Sequence, residues 1–125
     1  MKLPRRPLTN VDLIKFVNLL KIPNFRGVYM RDRLPSKIKM KETGIVNLDT
    51  FTGRGTHWTA YVKNKTEIKY FDSIGNLAPP LELVKYFSSD GEHNTINYNF
   101  DRFQSLNAYN CGHLCLLFLY TNTVS

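Results

Sequence analysis

Cysteine is scarce in this 125-residue chain: Cys111 and Cys115, with none before them. The two stand four apart in one apolar run that reads as a helix, where side chains on successive turns are poorly placed for a disulfide. A disulfide framework is thus excluded, and an intracellular, reducing compartment is expected rather than secretion. No Cys-x-x-Cys pair or second ligand cluster occurs, so no structural metal is expected. Long apolar runs are also missing. None approaches the roughly 18 residues of a membrane span, so no membrane partner is expected. The start of the chain, Met1 to Pro7, is basic but has no apolar stretch after it, so no signal peptide is expected. The glycine-bearing stretch from Phe51 to Thr56 lacks the Gly-x-x-x-x-Gly-Lys spacing that cradles phosphates, so no nucleotide cofactor is expected. Repeats and low-complexity segments are absent.

Acidic residues are few as well: 10 against 17 Lys and Arg, a net charge of +7. Such an excess favours polyanions, nucleic acid first among them, although a merely basic globular protein carries the same charge. The cations are densest before residue 42 and do not form one helical stripe. The length suits one domain over residues 1–125, with 1–7 as a flexible basic arm in which Pro4 and Pro7 oppose a helix.

What is present is ordinary apolar patterning. Thr9 is a good N-cap, with Asp12 three residues on to close a capping box. Val11, Ile14, Phe16, Val17, Leu19 and Leu20 follow with helical periodicity, and the helix ends before Pro23. Val28 to Met30 reads as a short strand, Lys37 to Thr43 as a cationic loop and Gly44 to Leu48 as a buried strand. Residues 57–63 and 66–72 are rich in β-branched and aromatic residues and read as a hairpin. A two-residue turn at Asn64-Lys65 pairs Lys63 with Thr66 and, counting back, His57 directly with Asp72 on one face. Trp58 then pairs with Phe71 on the other. A longer loop would shift this pairing by one or two residues. Leu81 to Phe87 reads as a short helix with Pro80 at its first position, and Thr95 to Phe100 as a half-buried strand.

The chemistry concentrates in the last quarter, Gln104-Ser-Leu-Asn-Ala-Tyr-Asn-Cys111-Gly-His-Leu-Cys115. A polar, turn-forming run stops at Cys111, and an almost wholly apolar helix follows. Cys111 therefore falls at a helix N-terminus, where unpaired N–H groups and the macrodipole favour a thiolate. Gly112 leaves space beside the sulfur. A nucleophilic thiol needs a base, a group to orient the base, and oxyanion donors; His57, Asp72 and Gln104 supply those residue types. Cys115 lies one turn deeper and reads as core. His113 should face elsewhere, and His93 sits in a polar loop.

Gly-Thr-His57-Trp58, Tyr-Phe-Asp72-Ser and Gln104-Ser-x-Asn-x-x-x-Cys111-Gly, in that order, resemble the adenain family of adenovirus maturation proteases. They also resemble the SUMO-protease clan and the adenain-like proteases of polinton-type elements. The resemblance runs from about Leu8 to Tyr120. It implies an α+β fold of the papain-like, adenain/SUMO-protease type: a mostly antiparallel sheet with a central nucleophile-bearing helix. It implies Cys111 as nucleophile, His57 as base, Asp72 as its orienter and the Gln104 amide as oxyanion donor. Adenain has Glu as third member and the SUMO proteases have Asp, so Asp72 stays within the clan's usage.

The activity so implied is a cysteine endopeptidase processing viral or polinton-type capsid precursors. The alternatives are an isopeptidase acting on ubiquitin- or SUMO-like modifiers, and a catalytically inactive basic module that binds nucleic acid. No cofactor is implied. Stimulation by DNA or by a non-covalent peptide activator fits the resemblance, whereas the lack of a Cys upstream of Cys111 excludes a disulfide-tethered one. The expected state is a monomer in the host nucleus or the virion.

Overall fold

The computed structural model describes residues 2–49, 57–102 and 109–124. Helix α1 (Asn10–Leu20) opens with the expected capping box: the Asp12 N–H donates to Thr9 Oγ1 at 3.2 Å, and the Thr9 N–H donates to the Asp12 carboxylate at 2.9 Å. Its buried face is Leu13, Phe16 and Val17, at helical spacing, while Val11 and Leu19 point to solvent. Five strands follow in one sheet whose spatial order matches the chain order: β1 (Phe25–Met30), β2 (Lys41–Asn47), β3 (Trp58–Asn64), β4 (Glu67–Phe71) and β5 (Thr95–Tyr98). Helix α2 (Leu81–Phe87) lies between β4 and β5 in the chain, and α3 (Cys111–Thr123) ends the described part.

The architecture is α+β, and the sheet is mixed. Its centre, β2-β3-β4, is antiparallel, and both outer strands, β1 and β5, pair parallel to their neighbours. One face carries Ile45, Trp58, Ala60 and Phe71 against Leu13 and Phe16 of α1 and Cys115, Leu116 and Leu119 of α3. The other carries Val46, Tyr61, Ile68 and Tyr70 against Leu83, Tyr86 and Phe87 of α2. Strands with both faces covered bury side chains on either side, which is why β2 is buried continuously from Glu42 to Asn47.

The hairpin register differs from the expected one. The turn is Lys65-Thr66, not Asn64-Lys65: Asn64 pairs with Glu67, and Ala60 rather than Trp58 pairs with Phe71. Trp58 pairs instead with Asn47 of β2. The cause lies outside the hairpin. Pairing with β2 holds Asn64 in the sheet opposite Lys41, and the Lys65 N–H donates to the Met40 carbonyl at 2.9 Å. Lys65 then takes the left-handed conformation, φ 58°, that the turn requires. Because the slip preserves parity, every residue keeps its face.

Candidate functional site

Three chain segments meet at one end of the sheet. His57 immediately precedes β3, Asp72 immediately follows β4, and Cys111 is the first residue of α3, which packs across β3. In the observed register the position opposite Asp72 falls to Thr59, so His57 is not directly across from Asp72 as the two-residue turn implied. It sits one diagonal step further, still within reach of a long side chain. The two side chains meet all the same: His57 Nε2 lies 2.8 Å from Asp72 Oδ1.

Asp72 is held firmly. Its carboxylate is 1% exposed, and Oδ1 also accepts the Ile74 N–H at 3.0 Å, closing a turn over the Asp side chain. Its backbone is clamped by Asn99, just past β5. Asn99 Oδ1 accepts the Asp72 N–H at 2.9 Å, and Asn99 Nδ2 donates to the Asp72 carbonyl at 2.7 Å. Nothing in the sequence singled out Asn99. Its position follows from the parallel pairing of β4 with β5, which a contact between distant segments decides.

With Nε2 committed to Asp72, the ring nitrogen left for the thiol is Nδ1. The two groups shift one another. Burial disfavours the imidazolium, but hydrogen bonding and charge from Asp72 and Cys111 prevail and raise the His57 pKa to about 9. Burial likewise disfavours the Cys111 thiolate. It is outweighed by His57 and by the backbone N–H groups of Trp58 and Gly112, and the thiol pKa is lowered. The pair therefore favours thiolate and imidazolium. Cys115 behaves oppositely: complete burial pushes its thiol well up, so the two cysteines are chemically distinct.

The neighbourhood of Cys111 is built by the N-terminal segment. The Trp58 indole N–H donates to the Leu8 carbonyl at 2.9 Å, and His113 Nε2 donates to the Pro4 carbonyl at 2.6 Å. A Cβ on Gly112 would stand 3.2 Å from Leu8 and 3.3 Å from Trp58, so glycine is what lets these two close over the first turn of α3. His113 thus ties the N-terminal segment to the helix and faces away from His57's role. His93 is exposed in its loop. Gln104 lies outside the described residues. Among the described residues no group of three or more His, Cys, Asp and Glu side chains could hold a metal ion, and no helix is long and apolar enough to cross a membrane.

A mixed sheet between helices, with a thiol at the start of a central helix facing a His–Asp pair, defines the papain-like fold of the SUMO-protease type. Solved structures bear this out at the level of the fold. SUMO protease Ulp1, with its catalytic cysteine oxidised to a sulfinic acid, superposes with a TM-score of 0.61 at 18% identity, over 95% of this chain and 67% of that one. An ASFV protease gives 0.65 at 16% identity, over 95% of this chain and 58% of that one. The C-terminal Ulp1 protease domain in complex with Smt3, the yeast ortholog of SUMO, gives 0.56 at 20% identity, over 96% and 68%. The chain thus spans about three-fifths to two-thirds of the length of these structures. Neither a protein-family profile nor a curated protein matches it by sequence.

Proposed function

We propose that the chain is a cysteine endopeptidase in which Cys111 is the nucleophile. The observation that carries this reading is the half-buried His57 paired at 2.8 Å with the buried Asp72, beside a thiol whose pKa is lowered at the first residue of α3. The Cys111 thiolate attacks the substrate carbonyl carbon, and the carbonyl oxygen becomes an oxyanion. The Cys111 backbone N–H, unpaired within the first turn, is one donor to it; the resemblance assigns the Gln104 amide as the other. The tetrahedral species collapses to a thioester as the protonated His57 gives its Nδ1 proton to the leaving amine. Neutral His57 then takes a proton from water, whose oxygen attacks the thioester and releases the acid and the thiolate. Asp72 keeps the second ring nitrogen protonated and the ring aligned throughout.

The substrate class is a viral or polinton-type capsid precursor, and the enzyme works as a monomer in a reducing compartment, the host nucleus or the virion. The +7 charge agrees with stimulation by DNA. A non-covalent peptide activator agrees with the same resemblance. A second reading, removal of a ubiquitin- or SUMO-like modifier, is favoured by the likeness to a Ulp1 domain bound to Smt3. Preferential cleavage after a Gly-Gly-ended modifier rather than within short peptides would select it. The third, an inactive nucleic-acid-binding module, leaves the His57–Asp72 pair without a role.

The test is intact-mass analysis after exposure to a thiol-reactive electrophile at neutral pH. A single label at Cys111, forming about a hundredfold more slowly in His57→Ala, is expected from the usual size of acid–base assistance. Equal, slow labelling of both proteins would refute an activated pair.

A further inference from the structure

The sheet presents a concave site at the end opposite His57. A cavity of about 690 Å³ opens between the loop before β2, the β3–β4 turn and the loop after α2. The chain runs extended from His57 to Lys63, so roughly 20 Å separate the two ends.

Among the described residues five cations line this cavity: Arg26, Lys37, Lys39, Lys63 and Lys65. Two are already neutralised from within. Arg26 donates to Glu42 at 2.9 Å, and Lys63, almost fully buried, donates to Asp90 and to the Lys39 carbonyl. The acids of these pairs are saturated. Glu42 also accepts the Lys39 N–H and the hydroxyls of Tyr61 and Tyr86. Asp90 also accepts from the Asn94 amide and the Glu92 N–H. Neither can serve the three remaining lysines, Lys37, Lys39 and Lys65, all exposed. Among the described lining residues only Glu92 is left to balance them.

The cavity is more than a charged surface, because Met40, 69% exposed, contributes apolar wall beside the floor formed by Ile38, which is almost wholly buried in the core. A methionine held out among lysines offers an adaptable apolar contact. Among the described residues no aromatic side chain lines the cavity to stack nucleotide bases. The cations also ring a recess instead of forming the open stripe that follows a phosphate backbone.

We propose that this cavity binds an acidic polypeptide segment carrying an apolar side chain. The apolar group packs on Met40, and its flanking carboxylates pair with Lys37, Lys39 and Lys65. The site is remote from Cys111 and independent of the chemistry there.

Fluorescence anisotropy tests it, using a labelled peptide of Asp and Glu residues around a single Leu. Saturable binding by the intact chain is expected, weakened at least tenfold in the triple variant K37E/K39E/K65E and severalfold when the peptide's Leu is replaced by Ser. The thermal midpoint and the electrophile labelling of Cys111 should be unchanged in the triple variant, which shows that the fold and the distant thiol are intact. Absence of saturable binding, or binding indifferent to the three lysines or to the Leu, would overturn the proposal. So would tighter, lysine-dependent binding of a single-stranded oligonucleotide of equal charge, which would make the cavity a nucleic-acid site.

Discussion

At the scale of the residue, the pKa shifts determine how reactivity should vary with pH. The His57 value of about 9 means that its imidazolium survives well above the ordinary range and disappears only as pH rises through about 9. The lowered Cys111 value means that the thiolate is already formed below the ordinary thiol range. Labelling of Cys111 should therefore begin below the usual pKa of about 8.5 and show little further rise through it. In His57→Ala the onset should move up into that range. Peptide turnover should fall above about pH 9, where the leaving amine loses its proton donor, while labelling persists. A stopped-flow labelling series beside a turnover series checks the divergence. Asn99 acts on the same chemistry indirectly, through the backbone that carries Asp72. Asn99→Ala should slow labelling by about ten- to a hundredfold, because small misplacements of a catalytic group cost that much. It should also lower the pH at which turnover fails. A purely structural role would lower the thermal midpoint and leave the pH profile in place.

At the scale of the element, local chemistry was readable where it was local. The Thr9–Asp12 capping box and the start of a helix at Cys111 appear at the expected residues, and the β-branched runs form the expected pair of strands, displaced to Trp58–Asn64 and Glu67–Phe71. The hairpin register was not readable from the turn, because β2 competes for Asn64 and moves the turn by one residue. The His–Asp contact survives this because parity, not the pair itself, decides the face. The turn after Asp72 is similarly set from afar. Gly75 adopts φ +88°, and a Cβ there would stand 2.5 Å from the Asp101 carbonyl oxygen. The Asn76 N–H donates to the Asn99 carbonyl at 2.9 Å, and Arg102 Nε donates to the Ile74 carbonyl at 3.3 Å. Turn and β5 exit thus form one fastened unit beneath Asp72. Gly75→Ala should cost about 1–3 kcal/mol from overpacking alone, with more from backbone strain. Urea denaturation measures the loss, and slower Cys111 labelling should accompany it.

At the scale of the whole molecule, the charges that organise the fold are the ones a sequence pattern hides. The segment from Lys37 to Thr43 looks like a solvated cationic loop, yet β2 begins inside it at Lys41 and Glu42 goes fully beneath the sheet. Glu42 gathers four partners from distant parts of the chain. Its Oε1 accepts from Arg26 of β1 at 2.9 Å and from the Lys39 N–H at 3.1 Å; its Oε2 accepts the Tyr61 hydroxyl of β3 at 2.5 Å and the Tyr86 hydroxyl of α2. One side chain therefore links β1, β2, β3 and α2, and no periodicity argument reaches such a contact, because the residues that satisfy it are separated by up to 44 positions. Removing the carboxylate leaves a partly buried guanidinium, two buried hydroxyls and a backbone N–H without their acceptor. Breaking a buried pair in this way costs about 3–5 kcal/mol, a large share of the roughly 5–15 kcal/mol by which a domain is stable. Glu42→Ala should thus unfold at much lower urea concentration or fail to fold at physiological temperature. Glu42→Gln keeps one acceptor oxygen, turns the other into a donor facing the tyrosine hydroxyls or Arg26, and should fall in between. If Glu42→Ala unfolded at the urea midpoint of the parent chain, the linkage of sheet and α2 through this carboxylate would be wrong. A fall in midpoint with pocket and thiol reactivity lost together would show that both ends of the sheet depend on it.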